Sequence, residues 1–376
     1  MDTNLHDAAH PADAADPAAV AGDFSARIRA ATAAGQPLRL RGGGTKDWYG
    51  GAPTGDVFDT RAYTGVVSYE PTELVITARC GTPLADIEAQ LAVHGQMLAF
   101  EPPRFGEGST IGGVVAAALS GPRRASAGAV RDFVLGAVLM DGRGEALRFG
   151  GQVMKNVAGY DVSRLLAGSL GTLGLILEVS LKVLPRPVCE ASMRFDMSEI
   201  DALARLNEWA GQPLPLSASC WHGGVLTVRL SGAQAAVGAA QRRLGGDLLT
   251  DADAGAWWTA LRDQRHAFFN DGTDRKTVWR LSVPPAASAV ILRGEQLIEW
   301  GGAQRWLKCD AQSDAQGDAQ AIRRTAAAVG GHATLYRAED KSAGVFHPLA
   351  PAVAAIHGRL QHAFDPAGIF NPARMY

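Results

Sequence analysis

The sequence lacks the patterns that mark several common classes of protein. Its four cysteines, Cys80, Cys189, Cys220 and Cys309, lie far apart, and no Cys-x-x-Cys occurs in the 376 residues. This spacing argues against a zinc site, an iron–sulfur cluster and a disulfide framework, and it suits a reducing cytoplasm. For the same reason we expect no metal site. Lysine and arginine form no runs and the net charge is −2, so we expect no nucleic-acid partner.

Signals for export and for membrane insertion are also missing. Residues 1–22 are acidic and rich in Ala and Pro, without the basic start and apolar stretch of a secretory signal, and we predict that they form a disordered tail. The most apolar stretch, residues 165–184, is interrupted by Glu178 and Lys182 and punctuated by glycines. It predicts a buried strand and a turn, and we predict no transmembrane segment.

Two common nucleotide-binding motifs can be set aside. No glycine is followed by Lys and then by Ser or Thr, so there is no P-loop. The spacing Gly106-x-Gly108-x-x-x-Gly112 has the look of a dinucleotide fingerprint, but Pro102 and Pro103 precede it where a central parallel strand would run. An antiparallel hairpin is predicted after it, where that fingerprint requires a parallel strand.

What the sequence does contain is three glycine-rich loops, around residues 42–44, 106–113 and 168–174. In the first, a predicted strand ending at Arg41 runs into three glycines and then Thr45 and Lys46. Glycines permit positive φ and a close approach to the main chain, and bare N–H groups beside a hydroxyl and a cation bind phosphate. A β-turn explains this loop equally well on its own. Three such loops together suggest one extended ligand, such as a dinucleotide.

Periodicity and turn residues divide the chain into regions. The predicted elements are a helix ending at Gly35, two short strands around Pro71, a helix over 83–95, a short strand over 97–103 and a hairpin turning at Asp141-Gly142. The predicted domains are a first domain over 23–187, a second α/β layer over 188–344, and a C-terminal segment over 345–376 that returns to the first domain.

Five stretches carry a resemblance to a known family. They are RGGGTK at 41–46, EPPRFGEGSTIGGVVAAALSGPRR at 101–124, VRDFVLGAVLMDGRGE at 130–145, KNVAGYDVSRLLAGSLGTLGLILEVSLKVLPRP at 155–187 and FDPAGIFNPARM at 364–375. The sequence resembles the FAD-binding domain of the vanillyl-alcohol oxidase and p-cresol methylhydroxylase (PCMH) superfamily, and within it the FAD-binding subunits of bacterial glycolate oxidase. The resemblance implies an α+β fold: a two-subdomain PCMH-type FAD-binding domain, a smaller α/β cap and the C-terminal return.

The same resemblance implies where FAD binds. Its pyrophosphate loop would be Arg41, Gly42, Gly43, Gly44, Thr45 and Lys46. The part of the ligand toward the flavin would lie against Ser109, Thr110, Gly112 and Gly113, with Pro102, Gly108 and Gly121 completing that side. The adenosine end would meet the backbone of Gly171, Gly174, Leu175 and Ile176. The family often holds flavin covalently through a histidine near these loops, but the triple-glycine loop has none, so we expect non-covalent FAD.

Two departures from related hydroxy-acid enzymes argue against catalysis by the isolated chain. Those enzymes commonly carry glutamate where this chain has Leu170. They also have a His-rich Gly-Asp-Gly-Asn segment for substrate and metal, which this chain lacks. The resemblance implies a glycolate-oxidising complex with a catalytic flavin subunit and an iron–sulfur subunit, in the cytoplasm or peripheral at the inner face of the membrane. An autonomous FAD-dependent 2-hydroxy-acid dehydrogenase and a structural subunit with degenerate FAD use are the alternatives.

Catalytic residues are left unassigned by the sequence. His222 and His347 could do acid–base chemistry beside a flavin, although hydrogen-bonded structural histidines are the favoured interpretation. Arg337 could bind a substrate carboxylate, but a solvated or salt-bridged arginine is favoured. Trp257 and Trp258 could stack on a ligand or lie at a subunit interface, and core packing is favoured for both.

Overall fold

Two antiparallel sheets organise the chain in the computed structural model, which describes residues 16–151, 160–270, 277–309 and 315–376. The elements up to residue 185 are α1 Pro17–Ala34, β1 Leu38–Arg41, β2 Asp56–Asp59, β3 Val66–Glu70, β4 Val75–Arg79, α2 Leu84–Val93, β5 Gln96–Met97, α3 Ile111–Ala117, α4 Arg124–Ala127, α5 Val130–Phe133, β6 Val134–Met140, β7 Ala146–Gly150, α6 Val162–Leu165, β8 Leu175–Lys182 and β9 Leu184–Pro185.

The first sheet has five strands in the order β3-β4-β8-β6-β7. Its strand β8 is buried on both faces: Val179 and Leu181 belong to the core that contains α2 and α3, while Leu175 and Leu177 pack with residues of α1. This double burial explains why the stretch is so apolar without crossing a membrane. The predicted hairpin of β6 and β7 and the two strands around Pro71 are confirmed.

The second sheet is built by the following half of the chain. Its region contains β10 Cys189–Asp196, α7 Glu199–Ala210, β11 Leu216–His222, β12 Val225–Gly232, α8 Gln234–Leu244, β13 Asp247–Leu248, α9 Asp251–Arg262, β14 Thr277–Ser282, β15 Glu295–Glu299, β16 Gln304–Cys309, α10 Ala315–Ala328, β17 His332–Arg337 and then α11 Pro351–Phe364. The eight strands pair antiparallel in the order β13-β10-β12-β11-β15-β16-β14-β17. We call this sheet the cap sheet.

The segment after α11 returns to the beginning of the chain. Leu38 N–H donates to the carbonyl of Ile369 at 2.7 Å, and Asn371 N–H donates to the carbonyl of Leu38 at 2.9 Å. Phe370 is fully buried in the core formed with α1. The predicted C-terminal return is therefore confirmed, and it places the last residues beside β1, directly before the triple-glycine loop.

A buried network of charges joins the two sheet regions. Arg229 of the cap sheet donates to the carboxylate of Glu101 at 2.8 Å, and Arg123 donates to Glu190 of the cap sheet at 2.6 Å. Both arginines are less than a tenth exposed. Breaking such a network leaves an unpaired buried charge, so it fixes the cap sheet on the first region.

Two sequence expectations are corrected by the structure. Residues 17–22, expected in the disordered tail, belong to α1, because Asp16 accepts a hydrogen bond from Ala18 N–H and Pro17 suits the first helical position. Residues 1–15 of the tail lie outside the described residues. The short strand expected over 97–103 is limited to Gln96–Met97, since its partner β9 is only two residues long and prolines follow.

Two features are absent from the described part of the chain. None of its helices is long and apolar enough to cross a membrane. Within the same residues there is no group of three or more His, Cys, Asp or Glu side chains that could hold a metal ion.

Candidate functional site

A pocket opens between the triple-glycine loop and helix α3. The loop supplies Arg41, Gly42, Gly43, Gly44, Thr45 and Lys46, and the opposite wall is formed by Thr110, Gly113, Ala116 and Ala117. Leu170, Asn371 and Arg374 close the pocket from the third glycine-rich segment and from the C-terminal return. The structure thus brings together parts of all three glycine loops, and we call this space the glycine-loop pocket.

The glycines allow the two loops to touch through their main chains. A Cβ atom on Gly43 would overlap the carbonyl oxygen of Gly108, and a Cβ on Gly42 would overlap the hydroxyl of Thr110. Gly44 has φ +73°, a conformation that side chains disfavour. Thr110 also caps α3, because its hydroxyl accepts a hydrogen bond from Gly113 N–H at 3.4 Å. The loop geometry therefore excludes side chains at these positions even before a ligand is considered.

Lys46 brings a buried positive charge to this site. Its ammonium donates to the hydroxyl of Ser109 at 2.9 Å and to that of Thr45 at 3.3 Å, and it lies 5.7 Å from the ring centre of Phe105. Burial lowers the pKa of Lys46 to about 8, although Asp263 opposes the shift. No carboxylate of the described residues forms an ion pair with Lys46. An anion in the pocket would compensate this charge.

Other cations hold the pocket's frame. Arg39 and Arg41 both form ion pairs with Asp47, the latter at 2.8 Å. Arg374 donates to the carbonyl of Asp47 at 2.9 Å and also to the carbonyls of Lys46 and Gly51. Because Arg374 binds three carbonyls at once, the C-terminal return fixes the conformation of the chain that follows the triple-glycine loop.

The remaining predicted residues lie around the pocket at different depths. Ser109 is buried, and its link to the pocket is its hydrogen bond with Lys46. Gly112 packs on Cys80, because a Cβ added to Gly112 would lie only 2.6 Å from the Cβ of Cys80. Pro102 is buried. Gly121 lies against the carbonyl of Glu101. Binding of FAD by these residues stays a prediction.

The residues expected at the adenosine end are mostly core residues. A Cβ added to Gly171 would lie 2.7 Å from the side chain of Asn371, so Gly171 lies near the pocket. A Cβ added to Gly174 would lie 2.6 Å from the carbonyl oxygen of Met140. The side chains of Leu175 and Ile176 are buried in two different core clusters. Their backbone role stays a prediction, and residues 155–159 of the quoted motif lie outside the described residues.

The cap sheet faces the segment after the triple-glycine loop with aromatic rings and arginines. Tyr336 lies 4.9 Å from Trp48 and 5.5 Å from Tyr49, measured between ring centres. Arg337 stacks over Trp48 at 4.6 Å and donates to Gln264 at 3.0 Å. Arg280 donates to the hydroxyl of Tyr49 at 3.1 Å. The favoured interpretation of Arg337 as solvated or salt-bridged is wrong within the described residues, since its guanidinium stacks on Trp48 and bonds a neutral amide.

A second, narrow gap lies between the cap sheet and the segment that follows α3. Leu119, Ser120, Gly121 and Pro122 form one wall, and the other includes Arg280, Glu299, Gln304, Trp306 and Tyr336. We call it the junction gap. It begins where α3 ends, and Tyr336 connects it to the aromatic rings beside the triple-glycine loop. The gap itself is small, with a volume of about 20 Å³.

The two histidines make hydrogen bonds typical of structural residues. His222 is 2.7 Å from Glu295, and Nδ1 of His347 accepts from Ala333 N–H at 3.5 Å. Burial, with a smaller effect of Arg323, lowers the pKa of His347. Trp258 is 5% exposed and donates to Ser192 at 2.8 Å, which confirms core packing for this residue.

Sequence reasoning missed several residues at the site. Asp47 directly follows the quoted RGGGTK stretch, and Arg39 lies two residues before it. Both were close enough to be included in the predicted site. Asn371 and Arg374 belong to the quoted C-terminal stretch, whose return was predicted without its contacts to the pocket. Glu299 carries no sequence signal, because a lone glutamate at the end of a strand looks like a surface residue.

The described residues fit FAD on two structural grounds. The glycines form a cradle that a single Cβ would fill, and the buried ammonium of Lys46 has no carboxylate partner in an ion pair. Backbone N–H groups and a cation are the donors that diphosphate prefers. Arg41 to Lys46, with Thr110 and Gly113 opposite, would hold the diphosphate.

This fold and this pocket define an FAD-binding oxidoreductase, and residues 17–150 match the family model described as an FAD binding domain. The glycolate oxidase subunit GlcE of Escherichia coli is 48% identical to the chain over 341 residues, which are 90% of the chain and 93% of that subunit. The chain belongs to the family of this GlcE subunit. The sequence resemblance and the FAD cofactor are thereby confirmed.

Further similarities extend over smaller parts of the sequence. The glycolate oxidase subunit GlcD of Bacillus subtilis is 33% identical over 172 residues, 45% of the chain and 36% of GlcD. A D-lactate dehydrogenase of Archaeoglobus fulgidus is 32% identical over 201 residues, 52% of the chain and 44% of that enzyme. The chain spans less than half of either protein.

A solved structure supports the fold across most of the chain. Alkyldihydroxyacetonephosphate synthase superposes with a TM-score of 0.66 at 14% identity, covering 93% of the chain and 74% of the synthase. At this identity the likeness concerns the fold alone. It confirms the predicted fold class, including the cap and the C-terminal return.

Proposed function

We propose that the chain is the FAD-binding subunit of a glycolate oxidase complex and takes part in the oxidation of glycolate, a 2-hydroxy acid, to glyoxylate. The 48% identity to GlcE over 90% of the chain carries this proposal. The glycine-loop pocket and the buried cation of Lys46 support it from the side of the cofactor. Bound FAD supplies a two-electron acceptor for the hydride that leaves the hydroxy acid.

The partners are a catalytic flavin subunit, related to the GlcD type, and an iron–sulfur subunit. The four widely separated cysteines of this chain offer no cluster of ligands for iron–sulfur chemistry, so electrons pass from the flavin to a partner or to a quinone. The complex works in the cytoplasm or peripherally at the inner face of the membrane.

The deciding experiment mixes FAD-loaded protein anaerobically with glycolate, and in parallel with D-lactate. We expect slow flavin reduction by the chain alone and rapid reduction once the partner subunits are present, because the described residues contain no group of three or more His, Cys, Asp or Glu side chains that could hold a metal ion for the substrate. Rapid reduction by the isolated chain would refute the need for partners. No reduction of the complete complex by glycolate would refute the substrate.

FAD is held non-covalently, because the triple-glycine loop contains no histidine. Acid precipitation of the FAD-loaded protein should therefore leave the flavin in the supernatant. Flavin that stays with the precipitated chain would contradict this expectation.

One observation favours the autonomous dehydrogenase as a second candidate. Arg280 and Arg337 lie on neighbouring cap strands beside the aromatic rings and form no ion pair with any carboxylate of the residues described. Two such arginines could hold a substrate carboxylate. Glycolate-dependent flavin reduction by the chain alone that disappears in Arg337→Gln would make this candidate the better one. A chain that purifies colourless and gains no thermal stability from FAD would instead be a structural subunit.

A further inference from the structure

Helix α11 carries an apolar stripe that its own chain covers at one end only. Val353, Ile356, Leu360 and Phe364 follow the spacing i, i+3, i+7 and i+11, which places them on one face of the helix. Phe364 packs against the core that contains α2 and α3, and Leu360 is half-buried. Val353 and Ile356, toward the other end, are 50% and 49% exposed. The stripe therefore runs from the body of the protein out into solvent.

The local sequence of α11 does not explain why it forms a helix. Ala350, directly before it, provides no side-chain cap, and Gly358 within it lowers its stability. An isolated helix of 14 residues is marginal in water, so most of its stability has to come from packing. Within the described residues, however, no side chain of α11 is buried. We therefore expect a further contact to cover its exposed end.

Tyr376 enlarges the exposed apolar area and connects it to the cofactor region. It is 58% exposed, and its ring centre lies 5.2 Å from that of His357 on α11. It also lies 5.8 Å from Phe346, which in turn lies 6.0 Å from Tyr49, again between ring centres. A row of rings thus joins α11 to the segment that directly follows the triple-glycine loop. We give the name α11 surface to Val353, Ile356 and Tyr376.

The ionisable side chains of α11 are all basic. The helix contains His357, Arg359 and His362, and it has no aspartate or glutamate. Arg359 is exposed, and no carboxylate in the described ranges forms an ion pair with it. The α11 surface therefore fits a protein that presents an apolar groove with carboxylates at its rim.

Two other occupants fit this chemistry less well. An isologous contact between two copies of the chain would place the basic side chains of one α11 against those of the other. Residues 1–15 of the chain are acidic, but Met1 and Leu5 are their only large apolar residues, which are too few to cover the stripe. Both observations favour a different protein as the partner.

We propose that the α11 surface is the docking site for the catalytic flavin subunit of the complex. This inference rests on the proposed function, because it requires the partner subunits. Electron transfer weakens steeply with distance, so a partner that exchanges electrons with FAD has to dock near the cofactor. The row of rings places this surface beside the triple-glycine loop. Val353 and Ile356 enter the apolar groove of the partner, and Arg359 pairs with a carboxylate at its rim.

The first test measures the affinity of the FAD-loaded chain for immobilised catalytic flavin subunit, without the iron–sulfur subunit. Ile356→Glu should bind at least about tenfold more weakly than wild type, because it brings a carboxylate into the apolar centre of the contact. Arg359→Gln should associate about threefold more slowly, with a smaller dependence on salt concentration. Ile200→Glu is the matched control, since Ile200 is a 70% exposed isoleucine of α7, and it should bind as wild type does.

Three outcomes would overturn the proposal. One is equal affinity of wild type and Ile356→Glu, and another is an equal loss of affinity in Ile356→Glu and Ile200→Glu. The third is a wild type that binds the iron–sulfur subunit but not the catalytic flavin subunit. All three leave the proposed function standing, because the wild type still joins a complex. A wild type that binds neither subunit would refute the proposed function and this inference together.

Hydrogen exchange decides the question without a variant, should Ile356→Glu fail to retain FAD. The amides of α11 should exchange rapidly in the wild-type chain alone and at least about tenfold more slowly in the complete complex. Equal exchange in the two samples would overturn the proposal. Slow exchange in the chain alone that becomes rapid on dilution, or on removal of residues 1–15, would also overturn it, because a second copy or those residues would then cover α11.

Discussion

The FAD-binding side and the cap side of the cofactor site differ in whether main chain or side chains form them. The FAD-binding side is formed mainly by the main chain. Gly43 touches Gly108 through backbone atoms, and Lys46 is the one predicted side chain with a buried charge. On the cap side, large side chains such as Arg337 and Glu299 fill the interface. A main-chain site is visible in a sequence as glycine, whereas a side-chain site of this kind becomes visible only through strand order.

Gly43→Val should break the main-chain side completely. The added Cβ would overlap the carbonyl of Gly108, so the two loops cannot keep their contact and the protein should purify without flavin. The cause is this overlap and not the backbone conformation, because the glycine of this loop with a positive φ is Gly44. Flavin absorbance after gel filtration measures the effect. Gly22→Ala is the control, since nothing lies within 4 Å of its added Cβ, and it should keep full flavin content. Normal flavin content in Gly43→Val would refute the cradle.

Arg229→Met should break the cap side by removing a buried charge from the network with Glu101. Loss of one partner of a buried ion pair costs about 3 kcal/mol or more in the free energy of unfolding. Urea unfolding followed by tryptophan fluorescence measures it. Arg205→Met, at an exposed pair with Glu208 on α7, should cost no more than about 0.5 kcal/mol. Equal losses in the two variants would show that the network does not hold the cap.

Lys46→Met sharpens the comparison, because it tests the single buried charge of the main-chain side. Without FAD, the variant should be as stable as wild type, since no carboxylate in the described part of the chain forms an ion pair with the buried ammonium. With FAD, we expect at least about tenfold weaker binding, from loss of a charge-assisted contact. Wild-type affinity should fall as the pH rises above about 8, where Lys46 loses its proton, and that of Lys46→Met should not.

Fluorescence titration of the apoprotein with FAD, between pH 7 and 9, measures both effects. Lys182→Met on β8 is the matched control, and it should follow wild type at every pH. A Lys46→Met variant with wild-type affinity would remove Lys46 from the site.

His347→Ala should have the smallest effect of the series. Among the described residues its ring accepts one long hydrogen bond, at 3.5 Å, and its lowered pKa keeps it neutral at pH 7. We expect a stability change within about 0.5 kcal/mol and unchanged flavin reduction in the complete complex. His362→Ala, at an exposed position of α11, serves as the reference. Loss of flavin reduction in His347→Ala alone would make this histidine an acid–base group after all.

The sequence allowed much of the fold to be predicted where local signals agree with tertiary packing. The hairpin of β6 and β7 was predictable because its turn contains Asp141-Gly142 between apolar strands. The start of α1 was not, because composition suggested disorder while Asp16 and Pro17 form a helix N-terminus. The strand expected over 97–103 was too long, because β5 has only two residues. The apolar residues that follow β5 are buried but form no strand.

The site was predictable to the extent that it consists of main chain. The triple-glycine loop and Thr110 were found from the sequence, and the structure brings them together in one pocket. Arg337 was misjudged because stacking on Trp48 is a contact between residues almost 300 positions apart. Glu299 was missed for the same reason, because it lines the same gap as Gly121 only once the cap sheet has formed.

The C-terminal return has a consequence for how the protein acquires its cofactor during synthesis. Asn371 and Arg374 close the glycine-loop pocket, and Arg374 holds the carbonyls of Lys46 and Asp47. Residues 41–46 leave the ribosome more than 320 residues earlier. The FAD-binding region can therefore fold early, but its pocket stays open on one side until translation of this segment ends. FAD capture should follow the synthesis of this segment, and a nascent chain stalled before residue 370 should hold FAD weakly.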